Sequence, residues 1–349
     1  MSIESYIRAM PKADLGLQLE GAVSKATLLL IADQNDIPKA NKVFIELLKQ
    51  LEKPNYDKLP ELITAVFQWV RHPDDLSRMV YDVGVTLAKQ NVRYAEIGVQ
   101  PLLYMNNTAM TFEQFVEGLN DGRDRVMRGW QTQLHFVLNV PRDEPRRADD
   151  VARWAQSVTG RKNGVIGLGL VGREEAQPTA QFERPFKAAE KKATPRIVHA
   201  GDKLAAEGTL QALQLLAPTR IIGGWGAADA PDVIQLLAEG KIPLTISMAR
   251  QLCLGRIATY KDYPLRHLFD ADVPLSLTAH MPGFYKSSLT DEYLALVEHN
   301  GFSLEELEEV ALNAVVYSTL AEDSKAELLQ QFAVSYRQLR AEHLDQQTA

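Results

Sequence analysis

The feature that most constrains this chain is a repeated alternation. Short apolar, β-prone runs are separated by longer stretches with apolar residues at helical spacing. Parallel strands buried on both faces read as near-continuous apolar runs, and joining two of them takes a crossover of about a dozen residues, usually a helix. Eight such runs stand out, at residues 14–19, 94–99, 133–140, 165–171, 196–199, 220–223, 243–247 and 274–278. Alternation of this kind predicts βαβ units around a parallel sheet, and eight units predict a (β/α)₈ barrel.

The helices carry their own start signals. Thr111 with Gln114, and Ser303 with Glu306, have capping-box spacing, and Asn300–Gly301 is a stop. Long helical stretches between residues 24 and 71 enlarge the first crossover. A charged amphipathic helix runs from Ala321 onward, and Asp202 is placed to cap a helix over residues 203–216. No linker breaks the pattern, so residues 1–349 read as one domain.

Composition excludes several roles. The net charge of −7 argues against a nucleic-acid partner, and Arg142, Arg146 and Arg147 read as a solvated helix start. The single cysteine, Cys253, allows no intrachain disulfide and no thiolate zinc cluster, and reads as a buried, inert thiol. No run of eighteen apolar residues and no signal peptide occur, so neither a membrane span nor secretion is expected; a soluble cytoplasmic protein is.

The segments falling at the strands' C-terminal ends, where barrel enzymes hold their chemistry, resemble the adenosine deaminase family. PKADLGLQLEGAV (11–23) resembles its first-strand motif, usually PKxELHxHLxG, and RYAEIGVQP (93–101) its second-strand motif. GLGLVGREE (167–175) resembles the fourth-strand segment, RIVHAGDK (196–203) the HAGE motif and RIIGGW (220–225) the RIGHG motif. SLTDEYLALVEHNGFSLEEL (288–307) is similar to the closing helical region.

The resemblance implies a zinc hydrolase whose metal, held by three histidines and an aspartate, activates a water for attack on the purine. Carried onto this chain, the set is broken. The first-strand zinc histidines fall on Gly16 and Gln18, the catalytic histidine on Gly223, and the last-strand aspartates on His280 and Met281. The third zinc histidine is His199, and the catalytic glutamate is Asp202, one methylene shorter. Glycine supplies no ligand and a neutral amide is a poor one for zinc, so no metal or other cofactor is expected.

His199 and Asp202 are therefore the candidate catalytic residues. Gln18, Glu20, Gly172, Trp225, His280 and Met281 are the candidate ligand contacts, with Phe284 and Tyr104 as further lining or core filler. Glu96 reads as a structural partner for a basic residue, while Arg250 and Gln251 fall in a pocket-shaping loop where a cation could receive an anionic ligand. Three functions stay open. The chain is a deaminase-like protein without zinc-dependent activity that keeps a pocket for a purine nucleoside or related small molecule; a hydrolase with a metal site rebuilt around His199 and His280; or a non-catalytic association module.

Overall fold

A computed structural model describes residues 2–106 and 108–344. Eight parallel strands occur in chain order: β1 Lys12–Gln18, β2 Val92–Val99, β3 Gln133–Pro141, β4 Val165–Val171, β5 Arg196–Ala200, β6 Arg220–Gly223, β7 Leu244–Ile246 and β8 Leu275–Leu277. Each pairs with the next, and helices fill the intervals, giving the expected (β/α)₈ barrel. β7 and β8 are shorter than their apolar runs. Pro243 and Pro274 have no N–H for the ladder and join it through their carbonyls alone, to Ile221 N at 3.0 Å and Leu244 N at 2.9 Å.

β1 and β8 close the ring by a narrower seam. Gln18 N donates to His280 O (2.7 Å), and the buried Asp14 carboxylate accepts from Ala279 N (3.1 Å) across the gap and from Gly16 N (3.0 Å) on its own strand. The register with β2 slips between Asp14 and Leu17, a bulge that places Gly16 at the seam.

The first crossover holds helices Lys25–Gln34, Lys42–Glu52, Leu59–Phe67 and Pro73–Lys89. Thr111 and Ser303 form the anticipated capping boxes, and Gly301 ends its helix at φ +68°. The C-terminal helix Glu322–His343 folds under the N-terminal end of the barrel, where Tyr336 Oη donates to Pro11 O (2.9 Å) and Arg340 reaches Glu308 and Glu305 (2.7 Å each). Among the described residues no helix is long and apolar enough to cross a membrane.

The barrel interior is layered. Near the N-terminal end Arg220 pairs with Glu96, which also accepts from Tyr94 Oη (2.9 Å) and Thr319 N (2.7 Å). Burial opposes charge on Glu96, yet the adjacent guanidinium and the Thr319 hydrogen bonds together outweigh it and hold the carboxyl below its usual range. Val137, Ile197 and Ile222 make a thin apolar layer above this pair. The layer above that is polar, and lies among the residues singled out from the sequence.

Candidate active site

Gly16 and Gln18 both face the interior. A Cβ at Gly16 would lie 2.9 Å from the methyl carbons of Thr245 and Thr278, so side chains from β7 and the end of β8 fill the volume a ligand ring would enter. The Gln18 amide is committed to the barrel. Its Oε1 accepts from Asn139 Nδ2 (2.8 Å), while Nε2 donates to Gly16 O (3.1 Å) and faces His199 Nε2 at 3.5 Å.

The structure brings His199 and His280 together, with ring centroids 5.2 Å apart, and both are buried. Burial first and the Arg250 cation second push the His199 pKa down to about 3 and that of His280 well below the imidazole range. Both rings are neutral near pH 7. His280 adopts a left-handed backbone (φ +55°), fixed by its N–H on Thr278 Oγ1 (2.9 Å) and its carbonyl on Gln18 N. Among the described residues neither of its ring nitrogens has a hydrogen-bond partner.

Asp202 does not cap the following helix. That helix runs Ala205–Leu216, and the Asp202 side chain turns the other way, toward the loop after β7. There it pairs with Arg250, meets Arg256 Nη1 at 3.1 Å and accepts from Gln251 Nε2 at 2.8 Å. Burial alone would raise its pKa, but Arg250 and then Arg256 outweigh burial and hold the carboxyl below its ordinary value. A general acid must be protonated near neutral pH, and this carboxylate is ionised. At Gly223 φ is +103°, and an added Cβ would lie 2.9 Å from Ala200 O and 3.2 Å from Asp202 Oδ1.

The remaining candidates lie past the ends of other strands. Glu20 Oε1 accepts from Gln100 N (2.9 Å) and Tyr104 Oη (3.1 Å), while its buried Oε2 has no partner; burial raises its pKa to about 7. Gly172 follows β4 at φ +101°, a turn conformation that favours glycine. Met281 packs directly on Gly21. Trp225 is half-buried with Nε1 unpartnered, and Phe284 is buried. Cys253 is half-buried rather than fully buried, its Sγ 3.6 Å from Tyr285 O, because the short helix Met248–Cys253 lies at the mouth.

Three further residues hold the site together, and a further sequence expectation, that of Arg142, is overturned. Arg142 is no solvated helix start. It is 1% exposed and donates to His199 O (3.0 Å) and Thr179 Oγ1 (3.4 Å), binding β3 to the end of β5. Glu174 holds the turn before the helix Ala205–Leu216, accepting from the amides of Gly201, Asp202, Lys203 and Leu204 at 2.6–3.1 Å. Glu292 accepts from Ser247 Oγ (2.8 Å), Met248 N (2.8 Å) and Ala249 N (3.2 Å), anchoring the loop that carries Arg250; burial lifts its pKa to about 7. Arg142, Glu174 and Glu292 lie far in sequence from their acceptors and donors, so no local pattern marks them.

These residues do not fit a family-type zinc. Gly16 offers no donor into a space already filled, the Gln18 amide is spent, and Asp202 is neutralised by arginine. Among the described residues no three His, Cys, Asp or Glu side chains gather as a metal set. His199 and His280 form a pair without a third ligand, beside a guanidinium that repels a metal cation.

Comparison with known proteins agrees with the architecture. Residues 11–334 match the family model described as adenosine deaminase. The chain is 23% identical to an adenosine deaminase of Clostridium kluyveri over 95% of this chain and 96% of the relative. Its fold is similar to that of an amidohydrolase from Burkhoderia ambifaria with bound Zn (TM-score 0.88, 20% identity, 98% of this chain and 95% of that one). It is also similar to Arabidopsis ADAL complexed with GMP (TM-score 0.84, 21% identity, 95% of this chain and 98% of that one).

Proposed function

The chain belongs to the adenosine deaminase family, and from that premise we propose that it is a member without zinc-dependent deamination that binds a small molecule of the purine class at the barrel mouth. One observation carries the first half. The carboxylate at the position of the family's proton donor is locked, ionised, between Arg250 and Arg256. Deamination asks that group to hold a proton near a ring nitrogen, and an ion-paired aspartate cannot. Shortening from glutamate adds a displacement of about 1 Å, which alone can cost roughly 100-fold in rate.

The second half draws on the mouth itself. Among the described residues Glu20 Oε2, Trp225 Nε1 and both His280 nitrogens are polar atoms without protein partners, each just past the C-terminal end of a strand, the side where barrels bind ligands. A relative of the same fold holds GMP. A hydrolase rebuilt around His199 and His280 is disfavoured by the missing third ligand and by Arg250.

The test combines metal content with activity. The purified protein should carry substoichiometric zinc and convert no adenosine to inosine when zinc is added. Turnover that chelator abolishes would sink this reading. A purine nucleoside or nucleotide should raise the thermal midpoint.

A further inference from the structure

Arg250 and Arg256 have a charge relation that the absence of deamination does not explain. Two guanidiniums share one carboxylate, Asp202. The nearest other acids are already engaged. Glu174 is surrounded by four backbone amides. Glu292 is held by Ser247 and two amides, and burial raises its pKa to about 7. Above β5 and β7, Asp202 is thus, among the described residues, the one carboxylate in ion-pair contact with either arginine.

The donors there are also underused. Arg250 Nε and Tyr263 Oη have no hydrogen-bond partner among the described residues, and neither does either ring nitrogen of His280, one of which carries a proton in the neutral ring. Tyr263 and His280 lie within electrostatic reach of Arg250, and Tyr263 of Asp202 as well. The two arginine side chains remain reachable, 16% and 24% exposed against 7% for Asp202. A guanidinium is a planar fork of donors that suits carboxylate and phosphoryl oxygens and offers nothing to an amino group.

We propose that Arg250 and Arg256 form a receptor for the oxyanion of a small molecule, a carboxylate or phosphoryl group, seated above β5 and β7. This rests on the small-molecule reading above and names the chemistry of the ligand end that enters. Asp202 is then an internal competitor. It satisfies the guanidiniums in the free protein and yields part of their valence to the incoming anion. Arg250 Nε and His280 supply the neighbouring donors.

The test is calorimetric titration at fixed ionic strength with inorganic phosphate, acetate and adenosine, on the whole chain and two variants. Asp202→Asn removes the competitor and should tighten phosphate or acetate binding at least tenfold. Arg256→Gln, at the most exposed of the three residues, should weaken it at least tenfold. A purely structural cluster would give the opposite sign for Asp202→Asn, since loosening the loop weakens any ligand. The proposal is overturned if neither anion binds the whole chain or Asp202→Asn, if Arg256→Gln leaves anion affinity unchanged, or if Asp202→Asn weakens it. Adenosine binding without anion binding would overturn this proposal and leave the small-molecule reading standing. Anion binding with the expected variant pattern, but no adenosine binding, would do the reverse for the purine part.

Discussion

Single side chains decide how the strand-5 turn is held. Glu174 accepts the four successive amides of the turn between β5 and its helix, so its charge is matched by donors rather than by a cation. Glu174→Gln swaps one acceptor oxygen for a donor facing those amides, and should cost about 2 kcal/mol in urea unfolding. The Glu96–Arg220 pair is the harsher case, because both side chains lie inside the barrel. Arg220→Met leaves an uncompensated buried carboxylate and should cost roughly 3–5 kcal/mol, measured the same way. At this scale the sequence revealed residue types better than partners. His199 and His280 could be placed in one cavity by aligning strand ends, because strand periodicity fixes direction. The ion pairs of Asp202 and the burial of Arg142 could not, since loop geometry after β7 and β3 decides them.

At the scale of elements, the strands were readable because parallel strands announce themselves as apolar runs between helices. Their ends were less so. Prolines trim β7 and β8, and the bulge in β1 has no local signature beyond Gly16 itself. That bulge and the threonines opposite it control what β1 can carry. Gly16→His alone forces a ring against Thr245 and Thr278 and should lower stability by about 1–3 kcal/mol through overpacking. Combining it with Thr245→Ser and Thr278→Ser, which remove the methyls and keep the hydroxyls that bond Ser276 and His280 N, should recover most of the loss, and thermal midpoints of the single and triple variants check this. Gly223→His faces a different obstacle, a positive φ together with a carbonyl and a carboxylate close to the new Cβ, so no neighbouring truncation rescues it.

For the whole molecule, buried titratable groups with opposite shifts set the pH response. Glu20 and Glu292 move from 4.5 to about 7 in the fold, so their contribution is full below pH 4.5 and lost as pH rises through 7. His199 moves from 6.5 to about 3 and His280 shifts the same way, so theirs is full above pH 6.5 and lost as pH falls. Between pH 4.5 and 6.5 the two pairs oppose each other, with the raised Asp14 on the side of the glutamates. Below pH 4.5 the glutamates no longer offset the histidine losses, Asp202 and Glu96 add to them, and stability should fall more steeply as pH drops. Urea midpoints against pH measure the break. The threonine methyls packed where a Gly16 side chain would project act as a two-key lock: β7 and the residue after β8 must both make room before β1 can carry a larger side chain without strain, so what the first strand presents to the interior is decided by residues more than two hundred positions away.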